Sequence, residues 1–369
     1  MTTLINPKLP SNAIICIVGD YCNLRCLYCF HHWKDQGRKQ IMDLELLEKF
    51  IREFLELPLP IYIFSWHGGE PLLAGLDFFE KAIELQNRHK KRGQIIQNLV
   101  QTNGTLINGE WASFFKAQKF GVGVSLDGNK KSHDRFRLDK NGKGTFDRVM
   151  EGIKILRQHG VEPGILQTLT QNNIPRVKEN FRFFVDELDI KNLAVNPYSD
   201  IIGLNKWMIN QQVSNEEFTI FLKTYIELWL EKDDPDLRIR EIDNFIGAVL
   251  KKPIHYCQLN GLCWATFCLN YDGEIYPCDG FLSHKEFLCG NLSKQSLLEI
   301  FTSSSWQDIY KKISDLPSEC RVCKWQLVCH NGCSHLRIGG IEGKYYYCKT
   351  RKEIFAYLEK AIRECSIKT

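Results

Sequence analysis

The sequence predicts an α/β protein: a parallel sheet curled into a partial (β/α)6 barrel, followed by a cysteine-rich C-terminal domain. Three observations carry this. Over residues 13–200, short apolar runs alternate with amphipathic stretches, the pattern of a parallel sheet with helices outside. Hydrophobic residues make up 44% and charged residues 25% of the 369, an ordinary globular composition. The 15 cysteines are unevenly spread: four lie between Cys16 and Cys29, eleven between Cys257 and Cys365, and none in the 227 residues from Phe30 to Tyr256.

The strand-like runs are Ile14–Val18, Ile61–Trp66, Ile95–Thr102, Gly121–Leu126, Gly164–Thr170 and Asn192–Asn196. Between them, Asp43–Leu57, Leu76–Lys91, Asn108–Gln118, Thr145–His159 and Pro175–Leu188 read as helices. Asp43 suits an N-cap and Pro175 a first helical turn. Six repeats give a curl shorter than a full eight-stranded barrel, with chemistry expected at the C-terminal strand ends. Residues 214–250 read as two helices, the second running to Leu250 and stopped by Pro253. Residues 255–348 are rich in Cys, Gly and turns, and Arg351–Arg363 reads as a closing helix. The division expected is 1–212 barrel, 213–254 helical connector, 255–349 cysteine-rich domain and 350–369 C-terminal helix. The basic cluster His89–Arg92 complements the dipole of the helix it ends.

The net charge of +4 is too mild to argue for nucleic acid or a membrane surface. No run of 18 apolar residues offers a membrane span. Met1–Ile15 carries no secretory pattern. A cytoplasmic, reducing location is expected, where clustered cysteines serve as metal ligands or redox groups.

Cys22-Asn-Leu-Arg-Cys26-Leu-Tyr-Cys29 follows the first strand. Three thiolates on one loop can hold three irons of a cubane and leave the fourth open, whereas structural zinc takes four protein ligands. A fourth ligand from His31 or His32, giving a zinc or electron-transfer site, is the alternative. Gly68-Gly69-Glu70-Pro71 ends the second strand, Gln101-Thr102-Asn103-Gly104 the third and Ser125-Leu126-Asp127-Gly128 the fourth. In this order the motifs resemble the radical S-adenosylmethionine (SAM) superfamily. The resemblance implies SAM chelated at the open iron of a [4Fe–4S] cluster on Cys22, Cys26 and Cys29. It implies SAM contacts from Gly68, Gly69, Glu70, Pro71, Asn103, Ser125, Asp127 and Arg137. A carboxylate and carbonyls suit the SAM ammonium, and the Arg137 guanidinium suits its carboxylate.

Farther on, Cys257 precedes Cys263-x9-Gly273-x4-Cys278, then Cys320-x2-Cys323-x5-Cys329-x3-Cys333, then Cys348. Zinc ribbons use such Cys-x2-Cys pairs too. The whole set is similar to the SPASM extension of radical SAM proteins. That resemblance implies one auxiliary [4Fe–4S] cluster on Cys257, Cys263, Cys278 and Cys333, and another on Cys320, Cys323, Cys329 and Cys348. Three clusters are therefore expected. Cys16, Cys268, Cys289 and Cys365 remain as small buried residues, with a minor role open to Cys268 and Cys289.

Complete auxiliary clusters suit electron transfer, so the resemblance implies an oxidative modification. The first expectation is a maturase of a ribosomally made peptide or protein, making a cross-link, a thioether or a backbone excision. The second is an anaerobic sulfatase-maturing enzyme, making formylglycine from Cys or Ser. A small-molecule dehydrogenase comes third, and a non-catalytic zinc or electron-transfer protein stands outside the enzymes. Asp279, next to Cys278, is the candidate base; a turn aspartate is the plainer alternative. His31 and His67 are candidate substrate contacts. His31, where sulfatase-maturing relatives often carry Tyr, and Gly280-Phe281, where they carry His-Phe or Phe-Tyr, depart from that pattern. The expected partners are a precursor peptide or protein and an electron donor such as flavodoxin or ferredoxin. Only 21 residues precede Cys22. Leader recognition is thus expected from a separate leader-binding protein or from the barrel and SPASM surface.

Overall fold

The computed structural model describes residues 9–29, 40–201, 206–282 and 284–368, the side chains of 206–207 and 365–368 excepted. His31, His32 and the Cys365 side chain lie outside the described residues. Six parallel strands follow the predicted alternation: β1 (Asn12–Cys16), β2 (Ile61–His67), β3 (Ile95–Thr102), β4 (Gly121–Ser125), β5 (Gly164–Leu169) and β6 (Asn192–Pro197). The first is displaced from the expected Ile14–Val18. Gly19, at φ 56°, turns the chain and donates its N–H to the Cys16 carbonyl at 3.1 Å. That ends the strand early although Ile17 and Val18 are buried.

The sheet does not stop at the compositional boundary. The short strand β7 (Arg238–Ile239) adds to β6, and β8 (Thr266–Asn270), from the cysteine-rich segment, pairs parallel with β1 through Ala13↔Phe267. Two antiparallel strands, β9 (Glu274–Tyr276) and β10 (Gly290–Asn291), complete the order β10-β9-β8-β1-β2-β3-β4-β5-β6-β7. The segment carrying Asp279 thereby emerges beside the ends of β1 and β2.

Helices α1 (Leu44–Glu56), α2 (Leu76–His89) and α3 (Gly109–Ala117) cover the outer face. Asp43 caps α1 by accepting from Leu46 N at 2.7 Å, and Asn108 caps α3 by accepting from Trp111 N at 3.0 Å. The one-turn helix α4 (Lys130–His133) and then α5 (Phe146–Gln158) follow β4. After β5 the expected helix from Pro175 is corrected. Pro175 lies inside a 3-10 turn, Gln171–Arg176, the α-helical stretch α6 is only Val177–Arg182, and Phe183–Glu187 widens into a π turn. A ring without an N–H is tolerated in a tight turn ahead of a helix, so proline marked the approach and not the first α turn.

Helices α7 (Asn215–Lys232) and α8 (Arg240–Val249) match the two read from residues 214–250, and a Ser214–Glu217 capping box starts α7. The closing helix, Cys348–Lys368, begins a turn earlier than read from sequence. Arg351 N bonds back to the Tyr347 carbonyl at 3.1 Å and closes that first turn.

The aromatic core spans both parts of the chain. Phe54 of α1 packs against Phe64 of β2 at 5.2 Å and Phe267 of β8 at 5.5 Å between ring centroids. Lys49 donates to the Leu292 carbonyl at 2.6 Å, and the Leu297 N–H donates to Glu53 at 2.8 Å. These contacts fix the cysteine-rich segment against α1. Among the described residues, no helix is long and apolar enough to cross a membrane.

Candidate active site

The loop carrying Cys22, Cys26 and Cys29 leaves the C-terminal end of β1 and is zipped to the segment after α4. Arg25 N donates to the Leu138 carbonyl at 2.7 Å and Leu27 N to the Phe136 carbonyl at 2.9 Å. Between them the Tyr28 hydroxyl donates to Asp127 Oδ2, and Arg137 Nε lies 3.0 Å from the same oxygen. Asp127 Oδ1 accepts from Thr168 N at 2.9 Å. Both oxygens of the buried Asp127 are thus held by protein groups, so this residue organises the site from behind. Burial works against the Arg137 charge, but the Asp127 carboxylate together with Tyr28 and Cys26 more than offsets it and keeps the guanidinium ionised. Tyr28, the aromatic before the last cysteine, was part of the resemblance, but its bond to Asp127 was not expected, and nothing in the sequence marked Thr168.

Gly68–Pro71 docks onto the same loop. Gly69 N donates to the Gly19 carbonyl at 2.8 Å and Glu70 N to the Tyr21 carbonyl at 2.9 Å. A Cβ on Gly69 would stand 2.1 Å from Tyr21 O, and Gly68 adopts φ 111°. Both glycines are therefore required by backbone approach and conformation. Glu70 is fully buried. Its Oε1 accepts from Thr102 Oγ1 at 2.7 Å and Leu72 N at 3.1 Å, and its Oε2 accepts from Asn103 N at 2.7 Å. Burial nevertheless pushes its carboxyl up to about 7. A carboxylate offers about four lone-pair sites, so one remains for a ligand. Asn103 Nδ2 reaches Asn23 Oδ1 at 2.8 Å and approaches Cys22 Sγ at 3.7 Å. Ser125 accepts from Gln101 Nε2 at 3.1 Å.

The thiols fall into three groups. Cys22, Cys26 and Cys29 lie within electrostatic reach of one another; burial raises Cys22 far above the ordinary thiol value and Cys26 to about 12. Cys257, Cys263, Cys278 and Cys333 form a second neighbourhood, burial lifting Cys257 to about 11 and Cys333 to about 12. Cys320, Cys323, Cys329 and Cys348 line one small cavity with Trp325 and Arg351. Thiols gathered and buried in this way, with few donors to stabilise thiolates, fit a cationic iron cluster that displaces their protons. Among the described residues, no three His, Cys, Asp or Glu side chains are placed to hold a single metal ion. Cys16, Cys268 and Cys289 are buried, as small apolar residues would be.

Asp279 and His67 meet at the junction of the two parts, Nδ1 to Oδ2 4.0 Å. Next to them, Cys16 Sγ lies 3.7 Å from Cys268 Sγ. A cavity of about 490 Å³ opens on the strands, lined by Gln101, Gly123, Gly164, Leu166, Ala194 and Arg240 among others. The Gln101 side chain takes the space beside Gly123, its Oε1 2.3 Å from where a Cβ would stand.

Residues 16–177 match the radical SAM superfamily and residues 261–324 the SPASM iron-sulfur cluster-binding domain. The chain is 34% identical over 357 residues to a cysteine-type anaerobic sulfatase-maturating enzyme of Clostridium perfringens, covering 94% of this chain and 96% of that protein. It is 31% identical over 373 residues to a serine-type enzyme of Bacteroides thetaiotaomicron, covering 95% and 89%. The structure of native anSMEcpe with bound AdoMet and Cp18Cys peptide superposes with a TM-score of 0.87 at 32% identity, over 98% of this chain and 100% of that one. Streptococcus suis SuiB bound to its precursor peptide SuiA shares the fold, with a TM-score of 0.67 at 17% identity over 93% and 76%. The chain belongs to the radical SAM enzymes, in the SPASM-bearing family of the anaerobic sulfatase-maturating enzymes.

Proposed function

We propose that this enzyme oxidises the Cβ of a cysteine or serine in a sulfatase-type protein or peptide to an aldehyde, with Asp279 as the base. This reverses the order of the two leading expectations from sequence. The observation that carries it is the likeness to cysteine- and serine-type sulfatase-maturating enzymes along nearly the whole of both chains. The peptide-bound relative supports a peptide-sized substrate.

Cys22, Cys26 and Cys29 would hold the SAM-binding cluster. The other two groups of four thiols would hold two auxiliary clusters, making three. When bound, SAM and the clusters supply a hydrogen-abstracting radical and an acceptor for one electron. The chain's own residues orient and exclude water. Gly68, Gly69, Glu70 and Pro71 present carbonyls and one carboxylate to the SAM ammonium. Arg137, braced by Asp127, offers its remaining N–H groups to the SAM carboxylate, while Asn103 and Ser125 shape the pocket between. Asp279 takes the proton that the substrate side chain releases as it is oxidised. A cysteine then also needs one water and loses sulfide; a serine does not. A small protein such as flavodoxin or ferredoxin supplies the reducing electron.

The test is anaerobic incubation of the reconstituted enzyme with SAM, reductant and sulfatase-derived peptides bearing Cys or Ser at the target position. Mass spectrometry and hydrazide capture should find the aldehyde. Gly280-Phe281 favours a second reading, cross-linking of a ribosomal precursor peptide with or without a separate leader-binding protein. Unchanged sulfatase peptides alongside a modified precursor peptide would select it.

A further inference from the structure

We infer that His67 is a positioning residue for Asp279, steering its carboxylate from the end of β2 while the Cys16–Cys268 thiol pair steadies the imidazole. The inference rests on reading Asp279 as the base. Register carries the first part: Cys16 and His67 are paired residues at the ends of β1 and β2, and Cys268 lies on the other side of β1 on β8. The thiols are 3.7 Å apart and fully buried. The hairpin of β8 and β9 then delivers Asp279 to the same ring, with His67 Nδ1 4.0 Å from Oδ2.

Other groups close in from the cysteine-rich side. His335 packs on Gly280, its Cγ 2.9 Å from where a Cβ would stand, and meets Phe281 edge-on at 5.5 Å. The Asp279 backbone is thereby fixed, and the ring that faces its carboxylate from the barrel is His67. Burial opposes protonation of His67, yet the Cys16 thiol and then the Asp279 carboxylate raise it to about 9. An imidazole steadied by a buried thiol and facing a carboxylate at ion-pair distance biases that carboxylate's orientation, the role of the orienting member of a catalytic constellation. The ordinary expectation, a substrate contact, does not need the thiol brace.

The experiment uses reconstituted full-length enzyme with the cysteine or serine peptide, and variants His67→Leu, His67→Asn, Asp279→Asn and His67→Leu/Asp279→Asn. The readouts are aldehyde formed per 5′-deoxyadenosine, and peptide affinity by fluorescence anisotropy. His67→Leu should lower the ratio about tenfold or more and leave peptide affinity within about twofold. His67→Asn, whose side-chain amide N–H stands at the reach of Nδ1, should recover most of the ratio. In the Asp279→Asn background, His67→Leu should add nothing. An unchanged ratio, a loss of peptide affinity that accounts for the effect, or additive losses in the double variant would overturn the inference. If His67→Leu loses iron, His67→Phe, which keeps a ring and carries no N–H, takes its place, with the same expectations. Wild-type enzyme that cleaves SAM but makes no aldehyde would instead sink the proposed function, and the inference with it.

Discussion

Asp127 and Arg137 face each other across α4 as a buried ion pair, 3.0 Å between Nε and Oδ2, and Tyr28 of the cysteine loop donates to the same carboxylate oxygen. One carboxylate thus ties the end of β4, the segment after α4 and the loop of three thiols into a single unit. Removing one partner of a buried pair leaves the other charge uncompensated, at a cost of about 3–5 kcal/mol. Asp127→Ala should lower the guanidinium midpoint accordingly and release iron from the Cys22 loop first. Anaerobic denaturation with iron analysis checks this; an unchanged midpoint would mean that the buried pair adds no net stability.

Glu70 gives a pH dependence. Its folded carboxyl is raised by burial from 4.5 to about 7. Across that window the folded chain holds a proton that the unfolded chain has released. Its stability contribution is therefore full at low pH and declines as pH rises toward 7. SAM binding runs the other way, because the ammonium favours the ionised form. Affinity should rise between about pH 6 and about pH 8, with proton release near neutrality. Glu70→Gln keeps an acceptor for Thr102 and should flatten this dependence. It should also cost roughly 1.5–3 kcal/mol of affinity, the worth of a charge-assisted bond. Calorimetry in two buffers of different ionisation enthalpy measures both effects.

Gly69→Ala should damage SAM binding although it removes none of the carbonyls or the carboxylate proposed to hold the ammonium. Its Cβ would fall 2.1 Å from Tyr21 O, so the Gly68–Pro71 turn must move off the cysteine loop. Overpacking of this kind costs about 1–3 kcal/mol. A SAM titration and a thermal melt should both shift; wild-type values in both would mean that the backbones separate at little cost.

The thiol grouping predicts iron content. Wild type should bind about 12 iron and 12 sulfide per chain, four of each per cluster. Cys22→Ala, Cys26→Ala and Cys29→Ala together should remove about a third of each and abolish 5′-deoxyadenosine formation. Replacing Cys320, Cys323, Cys329 and Cys348 should remove a different third. Zinc without sulfide in the wild type would contradict the whole assignment.

The site was legible wherever chemistry fixes spacing in sequence. Thiols on one loop and a Gly-Gly-Glu-Pro turn must stand close together along the chain to do their work. The Tyr28–Asp127–Thr168 contacts and the His67–Cys16–Cys268 cluster were not legible, because strand pairing assembles them. Cys16 and Cys268 are 252 positions apart and meet only because β8 adds to β1. The strands β7 and β10 are two residues long, too short for any period to register. Pro175 misled because its ring suits a 3-10 turn as well as a helix start.

The central claim, a substrate oxidised with Asp279 as base, is tested most directly by Asp279→Asn. Asparagine keeps size and hydrogen bonding and removes basicity. Iron content, 5′-deoxyadenosine and aldehyde are measured in the same anaerobic tubes with the cysteine peptide. The account predicts wild-type iron and continued 5′-deoxyadenosine formation with aldehyde reduced by about a hundredfold or more. Aldehyde at the wild-type yield from Asp279→Asn would contradict it.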